Sequence, residues 1–223
     1  MNIKYLLLLA LLGLSASAVP QNNPENWCRA GLFALDATEF SVARVNTRAQ
    51  RAHFYNDFQE VCPGIDNEAC RDDAYVIPDD ELVIADRFYN NFVCSWYKPA
   101  EGYGTVGWIE SGLLDFLLIN EDPQQSAWEG IWTLDSNTLA IRESQFEYNG
   151  LVVEGEAFWY GLNENVHIGS VFGRAIAEGN TLTLFDTDYD CTLKLWLLGN
   201  FMVARDNKQC GGMNVSFDGV YSK

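Results

Sequence analysis

From Ala74 to Leu114 apolar and polar residues alternate in short runs, each stopped by residues that turn a backbone. A period of two places successive side chains on opposite faces of an extended strand, so this stretch is committed to β-sheet and not to helix. It reads AYVIPDDELVIADRFYNNFVCSWYKPAEGYGTVGWIESGLL. Strands are expected near Ala74–Val76, Glu81–Asp86, Phe92–Tyr97 and Val106–Ile109. A Gly-rich turn precedes the last of them, and the small-residue turn Ser111-Gly112 follows it before Leu113-Leu114. Upstream, Glu39–Val45 and Arg51–Tyr55 alternate in the same way, and Trp27–Leu35 is a short apolar piece, pinned by Cys28, that is expected to hold one helical turn. The segment Asn56–Asp73 is a polar loop containing Cys62, Pro63, Gly64 and Cys70.

The tract Glu121-Asp122-Pro123-Gln124-Gln125-Ser126 has the composition of a linker. Beyond it the strands lengthen: Trp128–Leu134, Leu139–Arg142, Leu151–Tyr160, Val166–Ala177, Thr181–Phe185, Cys191–Leu197, Phe201–Ala204 and Val215–Tyr221. Asn149-Gly150, Gly179-Asn180, Gly199-Asn200 and Gly211-Gly212 separate several of them. Such pairs are hairpin signals because tight turns need positive φ. About eight short hairpin-linked strands predict an antiparallel barrel or sandwich. Glu129-Gly130-Ile131-Trp132 and Asp218-Gly219-Val220-Tyr221 echo one another, as first and last strands do when an up-and-down barrel closes. The expected organisation is therefore all-β: residues 1–18 a signal peptide, 19–38 an extension, 39–116 a small β-domain, 117–127 a linker, and 128–223 the barrel.

The amino terminus carries Lys4, an apolar run from Leu6 to Leu14 too short to span a bilayer, and Ala16-Ser17-Ala18, a small-residue cleavage pattern. A periplasmic or extracellular protein is expected. The lack of a cysteine at the cleavage point argues against a lipid anchor, and no later run has the length of a transmembrane helix. All six cysteines, Cys28, Cys62, Cys70, Cys94, Cys191 and Cys210, follow the signal segment, and an even count there is read as disulfides. Cys191 with Cys210 is the natural pair of the second block. The first block allows three connectivities, and the favoured one joins Cys62 to Cys70 across a tight loop and Cys28 to Cys94. Zinc is disfavoured because no CxxC or HxxxH spacing is present.

With 14 Lys+Arg against 31 Asp+Glu the net charge is −17. Loss of Lys4 with the signal segment leaves 13 bases against 31 acids, or −18. This charge repels nucleic acid and anionic lipid, keeps the protein soluble, and steers a basic partner. Hydrophobic residues at 48% and aromatic ones at 13% are enough to build cores, which excludes a disordered chain.

From about Glu39 to Leu114, a third of the chain, the sequence resembles a bacterial SH3-like (SH3b) domain. Val42 to Val45, His53-Phe54-Tyr55, Phe92 to Tyr97, and Gly107-Trp108-Ile109 before Ser111-Gly112 carry the resemblance. It implies a small barrel that binds a cell-wall peptide or a protein. Glu110 and Leu113 stand where domains that bind Pro-rich peptides carry a Pro and a Tyr near the last strand, so that ligand class is not implied. The loop holding Cys62 and Cys70 is longer than a minimal barrel of this type needs, and long disulfide-bounded loops often carry recognition. The Gly-x-Trp opening of the second block is similar to the start of lipocalin-like and avidin-like barrels.

Catalytic constellations are sparse. His53 lies within an aromatic strand, while His167 is near Ser170, but adjacency on one strand does not bring a base to a nucleophile, and no G-x-S-x-G elbow exists. Glu154 and Glu156 share one strand face with Val152, Phe158 and Tyr160, as glycosidase carboxylates could. Asp186, Asp188 and Asp190 resemble the start of a calcium loop, but Cys191 and Leu197 occupy the places of its Gly and Glu. Asn214-Val215-Ser216 is a glycosylation sequon within an expected strand. No P-loop, dinucleotide fingerprint or basic patch is present, and no cofactor or metal is expected.

The aromatics of the first block, Tyr55, Tyr89, Trp96, Tyr97, Tyr103 and Trp108, are the remaining lead. Alternation sets Phe92, Cys94 and Trp96 on one face of their strand and Val93, Ser95 and Tyr97 on the other, which favours Tyr97 and Tyr103 as surface groups, with Tyr55 and Tyr89 beside them as candidate ligand contacts. The expected function is binding of a cell-envelope ligand by the SH3-like block: a cell-wall peptide, or a protein such as a basic lysozyme that this chain would inhibit. The alternatives are a small-ligand carrier using the second barrel, whose Trp159, Phe172, Phe185, Trp196 and Phe201 bear on its cavity, and, third, a cell-wall hydrolase.

Overall fold

A computed structural model describes residues 27–35, 37–100, 102–145, 149–162, 165–187 and 189–223. The expected signal peptide and the first part of the extension lie outside the described residues, as does Asp188.

Seven strands form the first sheet: β1 (Phe40–Val45), β2 (Ala52–Tyr55), β3 (Arg71–Val76), β4 (Glu81–Tyr89), β5 (Phe92–Tyr97), β6 (Thr105–Glu110) and β7 (Leu114–Phe116). Their order is β3-β2-β6-β5-β4-β1-β7. The meander β4-β5-β6 forms the middle, and its β5–β6 register runs from Phe92↔Glu110 to Tyr97↔Thr105. A 3-10 turn over Ser111–Leu113 leads from β6 into β7, which pairs with β1. The sheet curls into a half-barrel. The expected strands shift by more than one residue in two places. β3 starts at Arg71, because the 3-10 turn Glu68–Cys70 feeds straight into it, and β4 runs on to Tyr89.

The second sheet follows a single helical turn, α1 (Gln125–Trp128). It contains β8 (Gly130–Leu134), β9 (Asn137–Glu143), β10 (Gly150–Tyr160), β11 (Val166–Ile176), β12 (Thr181–Asp186), β13 (Cys191–Leu198), β14 (Phe201–Asp206) and β15 (Gly219–Ser222). All eight are antiparallel, and the last strand pairs with the first through Ser222↔Thr133. The result is a nearly closed barrel whose open seam lies between β11 and β12. Asn149, Gly179 and Gly199 take φ of 56°, 60° and 72° at the hairpins, as the turn pairs require. The expected strand Val215–Tyr221 shortens to Gly219–Ser222. Asn214 turns at φ 67°, and the Asp206 carboxylate accepts the Phe217 N–H at 2.6 Å, so buried Val215 and Phe217 plug the barrel instead of extending its wall.

Strand alternation sorts the apolar residues into three clusters. Trp132, Leu139, Val153, Leu193, Met202, Phe217 and Tyr221 fill the barrel. Ala43, Phe54, Leu82, Ile84, Val93 and Ile109 form the inside of the half-barrel. The third cluster joins the two sheets. Phe40, Val42, Val83, Trp96 and Trp108 on the outer face of the half-barrel meet Trp196, Leu198, Val203 and Val220 from the outer faces of β13–β15. Five large residues of the second block therefore divide in a way their number did not indicate. Only Trp159 packs toward the barrel interior; Trp196 and Phe201 serve the contact between sheets, while Phe172 and Phe185 are exposed.

The disulfides are Cys28–Cys94, Cys62–Cys70 and Cys191–Cys210. Cys28–Cys94 spans 66 residues, and closing such a loop removes about 4 kcal/mol of chain entropy from the unfolded state.

Candidate functional site

The segment Trp27–Leu35 has little regular structure of its own, with turn bonds from Leu32 N–H to Arg29 O (3.0 Å) and from Leu35 N–H to Leu32 O (3.1 Å). Three devices fix it to the half-barrel. Cys28 is bonded to Cys94 on β5. The fully buried Asp57 carboxylate accepts the Cys28 N–H at 2.7 Å, the Trp108 indole N–H at 3.0 Å and Arg29 Nε at 2.5 Å. Arg87, buried on β4, donates through Nη1 to the carbonyls of Trp27 (3.3 Å), Leu32 (2.8 Å) and Phe33 (3.2 Å).

Held in this way, Ala30–Ala34 forms one wall of a cleft of about 320 Å³ between the two sheets. The opposite wall is the β8–β9 turn at Leu134 and Asp135 together with the start of β15 at Asp218–Val220. Phe33, Trp96, Val106, Leu134 and Val220 make an apolar floor, and Lys98, Asp135 and Tyr103 stand at the rim. Lys98 Nζ is 3.7 Å from Asp135 Oδ1, so one ion pair links the sheets across the opening. A Cβ at Gly104 would lie 2.9 Å from Trp96 Nε1, and glycine there lets the Tyr103 loop rest on the indole. Trp96 is itself held edge-on against Phe201 at 5.9 Å. A half-open cleft with an apolar floor and a few charged groups at its rim has the composition of a small-ligand or side-chain pocket.

The structure separates the four candidate tyrosines. Tyr103 is 85% exposed at the rim of the cleft. Tyr97 is half-buried on the opposite face of β5 from Trp96, and its hydroxyl donates to Asp80 Oδ1 at 3.1 Å. Burial, and then the Asp80 charge, raise its pKa above the usual phenol value. Tyr55 is buried, packed edge-to-face on Phe92 at 5.0 Å, and burial followed by the Glu110 charge raises its pKa. Tyr89 is half-buried, 6.4 Å from the Trp108 ring. Tyr55 and Tyr89 meet in the shared cluster around Trp108, and neither joins Tyr97 or Tyr103 in one face.

The other candidates fall apart on geometry. His167 faces the barrel interior beside Trp159 (5.0 Å), with Nδ1 2.5 Å from Met213 O. Ser170, three residues on, is exposed on the outer face. His53 Nδ1 lies 3.1 Å from Asp72 O. Glu154 and Glu156 do share the exposed outer face of β10, opposite Phe172 and Ser170. Asp186 is buried and accepts the Phe172 N–H at 3.0 Å, and Asp190 is exposed. Among the described residues no group of His, Cys, Asp and Glu could hold a metal ion. The sequon Asn214 is exposed, in the plug and not in a strand.

Asp57 and Arg87 escaped the sequence reading. Asp57 lies in a polar loop and Arg87 in a run whose alternation gives no sign of which side is covered, so neither carries a local signal of burial. No family model matches the chain, and no curated protein or solved structure matches it.

Proposed function

We propose that this chain is a secreted binding protein that recognises a cell-envelope ligand, a cell-wall peptide, in the cleft beneath Tyr103. The cleft itself carries the reading: an apolar floor large enough for a side chain, with a cation and an anion side by side at its rim. A short peptide offers matching chemistry, with a carboxylate for Lys98, an ammonium for Asp135 and an apolar group for the floor. The strand order of the first sheet supports the SH3-like resemblance, because β1 lies between β4 and β7, β4-β5-β6 is a meander, and a 3-10 turn joins β6 to β7. Three disulfides fit an oxidising compartment, and no described helix is long and apolar enough to cross a membrane. The barrel interior is packed with Trp132, Leu139, Met202, Phe217 and Tyr221, which favours the cleft over the barrel as the ligand site.

Co-sedimentation with peptidoglycan sacculi at low and high salt tests the proposal. The apolar floor carries the contact and the rim pair has no net charge for long-range steering, so binding is expected to survive high salt. Tyr103→Ala is expected to weaken it about tenfold, the cost of one exposed aromatic contact. Folded protein that stays in the supernatant at both salts overturns the cell-wall reading.

A further inference from the structure

The loop between β2 and β3 exposes three large apolar residues. Phe58 is 72% exposed, Val61 64% and Ile65 53%, all within or beside the ring closed by Cys62–Cys70. This is not a slack loop. Asn56 N–H donates to Cys70 O at 2.7 Å across its neck, Cys62 N–H to Gln59 O at 2.9 Å, and Cys70 N–H to Asn67 O at 3.0 Å. The Asn67 side chain accepts the Ala69 N–H at 3.1 Å, and buried Asp57 anchors the root. Backbone order that is already fixed does not have to be bought at association, which is what makes a rigid loop an effective binding element.

The charge around these residues is one-sided. From Phe58 to Asp73 the carboxylates of Glu60, Asp66, Glu68, Asp72 and Asp73 face a single arginine, Arg71. Arg29, beside the loop, is paired with Asp57 and lies over the Phe58 ring at 5.0 Å, so that ring already accepts a guanidinium. We propose that the Phe58–Cys70 loop is a docking surface for a cationic protein. Phe58, Val61 and Ile65 enter an apolar pocket of the partner, and the surrounding carboxylates steer and align it. No residue of the loop lines the Tyr103 cleft, so this is a second surface, beyond the peptide site proposed above.

The experiment measures binding of the full disulfide-bonded chain to two basic secreted enzymes, a lysozyme and a pancreatic ribonuclease, by calorimetry from about 50 mM to 500 mM salt. Binding is expected to at least one of them. It should weaken at least tenfold over that range, and at least tenfold in the Phe58→Ser, Ile65→Ser double variant at fixed salt, while Tyr103→Ala leaves it unchanged. Amides from 58 to 70 should gain hydrogen-exchange protection in the complex. If neither enzyme binds at low salt, or if the double variant binds as the parent does, the proposal is overturned.

Discussion

One carboxylate, Asp57, holds three donors from separate parts of the chain: a backbone N–H beside a disulfide, an indole N–H from β6, and a guanidinium. Water cannot readily replace it, because its side chain has no exposure and the Trp108 ring is buried with it. Asp57→Ala strands buried donors that each cost about 1–3 kcal/mol when unpaired, so a loss of about 3 kcal/mol is expected in denaturant unfolding with the disulfides intact. Asp57→Asn keeps an acceptor and should lose less. A loss below about 1 kcal/mol for the alanine variant would show that the donors find other partners. Cysteine pairing, by contrast, was open to reading at the scale of single residues, because a short loop and a long tether were the simplest way to use four cysteines. Asp57 was not, since partners 28, 29 and 51 residues away leave no trace in its neighbourhood.

Most strands are visible as alternation and turn pairs, and β5 and β10 coincide with their sequence runs to within a residue. What alternation cannot supply is the identity of the surface that covers each face. On β13, Leu193, Leu195 and Leu197 point into the barrel, while Trp196 and Leu198 point out and are buried too, against the half-barrel. Both faces are apolar for different reasons, and only the assembled sheets tell them apart. The seam between β11 and β12 is likewise invisible in sequence, since a hairpin connection at Gly179 normally implies a paired ladder. Here Gly173 lies where a Cβ would meet the Leu184 side chain at 2.7 Å, and Asp186 takes the Phe172 N–H that a ladder would use. Edge amides of β11 and β12 should therefore exchange at least tenfold faster than those shared by β13 and β14, measured by native-state hydrogen exchange. Equal protection would mean that the barrel closes in solution.

For the whole molecule, the cluster between the sheets decides how the chain behaves on unfolding. Trp96, Trp108 and Val83 belong to the half-barrel, and Trp196, Leu198, Val203 and Val220 to the barrel, yet they form one buried group. Leu117 and Ile119, at the start of the expected linker 117–127, pack against it, and Leu117 N–H donates to Val42 O at 2.9 Å. Arg205 on β14 donates to Ala37 O at 2.7 Å, which ties the barrel to the segment that precedes β1. Separating them would expose large aromatic and aliphatic surface on both, at about 25 cal/mol for each Å². The sheets are therefore expected to unfold together despite the polar tract between them. Val203→Asp places a charge in the middle of this cluster without touching the interior of either sheet, and a cost of about 3 kcal/mol is expected. Hydrogen exchange reads both sheets in one experiment. If they form one cooperative unit, the most protected amides of β5 and of β9 fall by the same free energy in the variant. A fall confined to β13–β15, with β5 unchanged, would show that each sheet stands on its own core and that the cleft between them opens without unfolding either.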